Sequence, residues 1–308
     1  MATKRPKKKR KPAAGTPRTS TDGDRRDAPP SRPGGETEAA QSSPSSTPRA
    51  RGRQAQAATF KLKVRRQDGP ERVETRRWEI FEIPRAPRMN VISALQYVQR
   101  HPVTVEGSQV APVAWECSCL EEVCGACTMV INGRVRQACS ALVDDLATKG
   151  RPIVLEPMRK FPVVRDLVVD RSRMFATLKQ LRAWLDLDGT HDLGPGPVQA
   201  QETQQELYPL SRCMSCGACL DACPQFGDHT EFVGASAINQ LRLVTSHPTG
   251  KLQQAARIEQ LMGPGGVAEC GKAHNCVEVC PAGIPLVDSI QQMARATTKR
   301  LLFGWLLK

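Results

Sequence analysis

No stretch of this 308-residue chain approaches the run of about 18–20 apolar residues that spans a bilayer, so no membrane-crossing helix is expected from it. Nothing at the start resembles a secretory signal, because Met1-Ala2-Thr3 runs straight into a basic stretch with no apolar segment after it. That speaks against an oxidising compartment and against disulfides. Neither a G-x-G-x-x-G fingerprint nor a P-loop appears, which argues against a nucleotide site of the chain's own. Histidines are few and unclustered: His101, His191, His229 and His247 read as structural. An excess of acid is also missing. The net charge is +13, but residues 1–57 hold 14 Lys and Arg against 5 Asp and Glu, so +9 of it lies there and the remainder is nearly balanced.

That opening segment is rich in Pro, Gly, Ser and Thr and begins Lys4-Arg5-Pro6-Lys7-Lys8-Lys9-Arg10-Lys11. It has too little apolar surface to offset its ordering entropy and is expected to be a disordered tail. A solvated extension without a specific partner is the first reading of it. Attraction to an anionic membrane surface comes second and nucleic-acid binding a distant third, because a nucleic-acid binder would need a basic folded part. No nucleic-acid partner is therefore expected.

What the chain does have is cysteine: twelve, of which eleven fall into two blocks. The first is Cys119-x4-Cys124-x2-Cys127-x11-Cys139, the plant-type ferredoxin spacing for a 2Fe-2S cluster. The second is Cys213-x2-Cys216-x2-Cys219-x3-Cys223-Pro224, answered by Cys270-x5-Cys276-x3-Cys280-Pro281. It follows the bacterial ferredoxin run, in which the cysteine before proline ligates the other cluster of a pair. A structural zinc site would need four ligands, usually as two short pairs, and neither block is built that way. The density suits clusters whose several irons each need a thiolate nearby. Cys117 lies outside the spacing and reads as a non-ligand beside the first cluster.

By the crossover rule, Cys213, Cys216 and Cys219 share a 4Fe-4S cluster with the distant Cys280, leaving Cys223, Cys270 and Cys276 for another. A full second repeat would carry cysteine where this chain has Ala273. A methyl group cannot ligate iron, so the economical reading is a 3Fe-4S cluster there. The alternative is a 4Fe-4S cluster whose fourth iron takes water or another ligand. His274 lies in the same loop, and a surface or supporting role is expected of it.

Short alternating runs, Thr59–Gln67 and Arg77–Ile83, predict an antiparallel pair with a long connection. Asn90 precedes Val91, Ile92, Leu95 and Val98 at helical spacing and is a plausible N-cap. Asn132-Gly133 between Thr128–Ile131 and Val135–Cys139 is the favoured type I′ hairpin turn, and Ile153–Leu155 supplies another strand. Together they predict a β-grasp domain over residues 58–160. In residues 161–308, Met174, Phe175, Leu178, Leu181 and Leu185 are expected to be core, and His191 to Gln201 a loop. Helices are expected over 235–243, 252–261 and 287–296. The fold class is α+β: an N-terminal β-grasp 2Fe-2S ferredoxin domain followed by an α-helical ferredoxin domain with two cubane-type clusters. The apolar close, Leu301-Leu302-Phe303-Gly304-Trp305-Leu306-Leu307, could cover its own core, pack on a partner or anchor at an interface.

From Cys119-Leu-Glu-Glu-Val-Cys124-Gly-Ala-Cys127, from Phe161-Pro-Val-Val-Arg-Asp-Leu-Val-Val-Asp170 and from both halves of the second block, residues 58–290 resemble the iron–sulfur subunit of succinate dehydrogenase and fumarate reductase. The resemblance implies a relay of single electrons from the covalent FAD of a flavoprotein subunit through 2Fe-2S, 4Fe-4S and 3Fe-4S clusters to a membrane quinone near the last. It implies a cytochrome b membrane anchor carrying haem, and a peripheral place on the cytoplasmic face of the plasma membrane. Substrate chemistry belongs to the flavoprotein, so no catalytic acid or base is assigned here.

Ubiquinone-linked relatives usually carry Arg-(acid)-Gly where this chain has Leu120, Glu121 and Glu122. They also tend to have tryptophan shortly after the Cys-Pro and histidine after the first cysteine of the last group, where this chain has Gln225-Phe226-Gly227-Asp228 and Gly271. That combination resembles the Gram-positive branch, which works with menaquinone and a single di-haem anchor. The spacings alone would also fit a soluble multi-cluster ferredoxin, or the electron-transfer subunit of a related quinone- or thiol-linked oxidoreductase. The Phe161–Asp170 segment argues against both.

Overall fold

The computed structural model describes residues 58–148, 150–186 and 197–304. The expected disordered tail, most of the loop from His191 and the closing Trp305-Leu306-Leu307 lie outside them. Strand β1 (Thr59–Arg66) pairs antiparallel with β2 (Arg77–Pro84) along its whole length, from Thr59 opposite Pro84 to Arg66 opposite Arg77. The connection carries a short 3-10 turn, Val73–Thr75. Alternation puts Leu62, Val64, Phe81 and Ile83 on the inner face.

Helix α1 (Val91–Arg100) crosses that face and buries Val91, Ile92, Ala94, Leu95 and Val98. Its expected cap is in place: the Ser93 N–H donates to Asn90 Oδ1 at 2.9 Å. Strands β3 (Thr128–Ile131) and β4 (Arg134–Gln137) form the hairpin, with Asn132 at φ 49° and Gly133 at φ 83°, the two positive values a type I′ turn requires. After the one-turn helix α2 (Val143–Leu146), β5 (Ile153–Glu156) enters the middle of the sheet. The order is β2-β1-β5-β3-β4, with β5 parallel to β1 and antiparallel to β3. This mixed sheet on a single helix is the β-grasp arrangement.

The segment Phe161–Asp170 forms a small hairpin, β6 (Val163–Arg165) and β7 (Val168–Val169), that the sequence patterning did not reveal. Then the chain becomes helical: α3 (Ser172–Gln180), α4 (Gln201–Ser211), α5 (Ala218–Asp221), α6 (Gly234–Ser246), α7 (Gln254–Gln260), α8 (Asn275–Glu278) and α9 (Leu286–Phe303). Three are the expected ones with shifted ends. Expected core membership fails for two residues of the α3 region. Met174 and Leu181 are buried, but Phe175 is 57% and Leu185 41% exposed. Phe175 sits about 100° around the helix from Met174. Leu185 lies past the helix end, where Arg182 turns left-handed (φ 53°) and the buried Arg257 guanidinium donates to the Arg182 and Trp184 carbonyls at 2.9 and 2.8 Å.

Two cores result. One fills the β-grasp half, and the other centres on α6 and α9. Val130, Val135 and Met158, from the β-grasp half, pack into the second core. Among the described residues no helix is long and apolar enough to cross a membrane.

Candidate functional site

The first cysteine loop lies between α1 and β3. Cys127 and Cys139 are buried, Cys119 and Cys124 half-buried and Cys117 exposed. Backbone amides point at the sulfurs: the Glu121 N–H donates to Cys119 Sγ at 3.3 Å and the Ala126 N–H to Cys124 Sγ at 3.5 Å. Hydrogen bonds from the Glu121 and Val123 backbone hold the Cys119 thiol down at about 7, whereas burial and the Cys127 side chain push Cys139 up to about 11. The thiols act on one another: the Cys124 side chain lowers Cys119, and Cys127 and Cys119 both raise Cys139. Asn90, the cap of α1, also donates its Nδ2–H to the Cys139 carbonyl at 2.9 Å, which ties the fourth cysteine to the helix.

The seven remaining cysteines line two separate cavities. Cys213, Cys216, Cys219 and Cys280 surround one, with Ser236 and Ile284 on its wall. Cys223, Cys270 and Cys276 surround the other, with Ala273 and His274 at its exposed rim. Burial pushes the Cys216, Cys219 and Cys276 thiols up, Cys219 most strongly. Buried neutral thiols of this kind become ligands only when a cationic group takes over their charge. Local donors favour that change: the Ser236 hydroxyl acts on Cys219, the Ala218 N–H on Cys216, and the Ile284 N–H donates to Cys280 Sγ at 3.4 Å. Among the described residues no three His, Cys, Asp or Glu are placed to share one metal ion. Three and four thiols, each set gathered around a single cavity, are a donor set that fits a polynuclear iron–sulfur group.

The backbone of all three loops is bent in a way the sequence did not signal. Leu120, Glu122, Ser215, Lys272 and His274 have φ between 52° and 64°, five of the nine described non-glycine residues in that region. Each such residue costs on the order of 1–2 kcal/mol, so their concentration here marks a functional constraint. In the first loop the left-handed Leu120 precedes Glu121, whose N–H donates to Cys119 Sγ.

Gly125 joins the first loop to the second. At φ 73° it is free of the side-chain penalty, and a Cβ there would sit 2.6 Å from Cys216 Cβ. No larger residue allows this approach. Arg171 closes the junction, donating Nη1–H to the Gly125 carbonyl and Nη2–H to the Ala126 carbonyl, both at 3.0 Å, while Nη2 also meets Glu116 Oε2 at 3.1 Å. Sequence reasoning missed Arg171, because a lone arginine after an Asp reads as a solvated side chain.

Comparison with known proteins agrees with this geometry. Residues 61–176 match the family model described as a 2Fe-2S iron-sulfur cluster binding domain, and residues 209–284 match a 4Fe-4S dicluster domain. The chain is 51% identical over 239 residues to the succinate dehydrogenase iron-sulfur subunit of Bacillus subtilis, covering 78% of this chain and 92% of that one. It is 30% identical over 230 residues to the fumarate reductase iron-sulfur subunit of Escherichia coli O157:H7, covering 73% and 88%. The fold is shared with a chain of the Mycobacterium smegmatis Sdh1 complex in the apo form, with a TM-score of 0.68 at 24% identity, over 79% of this chain and 97% of that one. The chain belongs to the family of succinate dehydrogenase and fumarate reductase iron-sulfur subunits.

Proposed function

We propose that this chain is the electron-transfer subunit of a succinate:quinone oxidoreductase. In this reading Cys119, Cys124, Cys127 and Cys139 hold a 2Fe-2S cluster. Cys213, Cys216, Cys219 and Cys280 hold a 4Fe-4S cluster, and Cys223, Cys270 and Cys276 a 3Fe-4S cluster. The observation that carries it is the division of the second block into a four-thiol cavity and a three-thiol cavity with Ala273 in the vacant place. The four thiols of the first loop, which act on one another electrostatically, supply two for each of two irons. When bound, the clusters supply one-electron carriers whose potentials depend on type, charge and hydrogen bonding.

The chain's own part is to fix their order and shield them. Amide and hydroxyl donors favour the thiolates, burial excludes water, and the Gly125–Cys216 contact brings the first two sites close. We divide the chain into a β-grasp domain over 58–160 and a helical domain over 161–308. The β-grasp domain faces a flavoprotein subunit carrying FAD, where Leu120 (48% exposed) and Val123 (64%) offer apolar surface around the first loop. The helical domain faces a cytochrome b anchor and its quinone, for which the Gram-positive pattern favours menaquinone. The exposed residues Gly271 to His274 over the three-thiol cavity are the surface nearest that quinone. The complex then sits on the cytoplasmic face of the plasma membrane.

Affinity purification from the native membrane tests this, with mass spectrometry of partners and iron and sulfide analysis of the chain. A flavoprotein with covalent FAD and a cytochrome b should co-purify. Recovery of the chain loaded with iron but without either partner would overturn the reading.

A further inference from the structure

The side chain of Arg171 stands where the loops carrying the first two thiol sets touch. It is separated from the end of β7 by Asp170 alone and lies immediately before the first residue of α3, so the backbone fixes its position between the two halves. The side chain is 17% exposed. Its planar fork takes the Gly125 and Ala126 carbonyls at 3.0 Å each, the two residues that lead into Cys127. Gly125 in turn lies against Cys216. The positive charge also reaches Cys216 itself, where it opposes the upward push of burial. Its carboxylate partner is Glu116, half exposed, at 3.1 Å.

Resting on the cluster assignment above, we propose that Arg171 is a positioning residue. It clamps the first cluster loop against the second, and the balance of its charge with Glu116 sets the reduction potentials of the two adjoining clusters.

The physical argument has two parts. A guanidinium offers two donors in a rigid plane, so it can hold consecutive carbonyls in a way a single ammonium cannot. Electron transfer falls steeply with distance, and this clamp acts at the point where the two loops meet. A poorly solvated cation beside a cluster also stabilises the reduced form, which carries one more negative charge. Glu116 offsets part of that field. Removing either partner should therefore move the potentials in opposite directions.

The test is an EPR-monitored redox titration of the purified holo complex with Arg171→Gln, Arg171→Lys and Glu116→Gln. Midpoint potentials of the 2Fe-2S and 4Fe-4S clusters should fall in Arg171→Gln and rise in Glu116→Gln. Arg171→Lys should keep them near wild type while weakening the magnetic interaction between the two clusters, since it retains charge and loses the fork. Potentials unchanged in the Gln variants, or moving the same way in both, with iron and sulfide content intact, would overturn the proposal. Should Arg171→Gln fail to assemble, the Glu116→Gln shift alone decides, because that side chain is at the surface. A wild type without the two cluster signals would instead count against the proposed function.

Discussion

Arg66 and Asp166, a hundred residues apart, meet as a fully buried ion pair, with Arg66 Nε 2.9 Å from Asp166 Oδ1. The pair joins the end of β1 to the turn of the β6–β7 hairpin. Asp166 also accepts the Gln67 N–H at 3.1 Å and the Ala114 N–H at 2.8 Å, so its carboxylate is satisfied by three donors from two other chain segments. Arg66 additionally pairs with Glu79 and donates to the Ala111 carbonyl. Within the segment Phe161–Asp170, which carried the resemblance, this aspartate is a structural rivet.

Replacing Asp166 by Ala should cost about 3–5 kcal/mol, since it removes one of the two carboxylates that pair with a fully buried guanidinium and leaves the Gln67 and Ala114 N–H groups without their acceptor. The check is the thermal midpoint of the assembled protein, followed by loss of cluster absorbance. A midpoint within a degree or two of wild type would mean that Glu79 alone satisfies Arg66.

Gly125→Ala combines two penalties. The left-handed backbone disfavours any Cβ by roughly 1–2 kcal/mol, and this one would lie 2.6 Å from Cys216 Cβ. The loops must separate to admit it. We expect lower thermal stability and reduced 2Fe-2S and 4Fe-4S occupancy together, measured by iron and sulfide analysis with EPR. By contrast Gly133→Ala, which meets no neighbouring atom, should bear only the backbone penalty.

Ala273 lines the three-thiol cavity where a ferredoxin repeat would have its fourth ligand. Ala273→Cys should admit a fourth iron and lower that cluster's reduction potential, because cluster type and net charge set it. EPR of the oxidised complex reads the result: a 3Fe-4S signal in wild type that disappears in the variant. Quinone reduction should slow while dye reduction at the flavin survives. A variant retaining the signal undiminished would refute the ligand assignment.

Cys117 is exposed and lies outside the spacing of the first cysteine block. Cys117→Ser should leave iron, sulfide and the 2Fe-2S spectrum as in wild type, whereas Cys124→Ser should abolish or alter that spectrum. Loss of the cluster in Cys117→Ser would make this residue a ligand after all.

The division of the second cysteine block between two cavities was legible because the spacing already separates the residues that line each. The β-grasp strands were legible because one buried face imposes a period of two on Phe60, Leu62 and Val64. Helix α4 was not, since Gln201–Ser211 is polar on most sides and contains Pro209. Left-handed Leu120, Ser215 and Lys272 left no trace either, because nothing in those side chains favours that backbone region. Phe175 misled for a simple reason: hydrophobicity was read as burial, and the residue beside Met174 faces another way.

The sharing of one core between the two halves has a consequence for how such proteins can be recombined. Val130, Val135 and Met158 belong by chain position to the β-grasp half, yet they are buried against the helical one. Gly217 is likewise fitted to Met158, its absent Cβ 3.4 Å from the thioether sulfur. A graft that exchanged the first half for an unrelated plant-type ferredoxin would bring the right thiol spacing but the wrong underside. Homologous halves from different relatives should therefore be interchangeable only as matched pairs, inherited together across this seam.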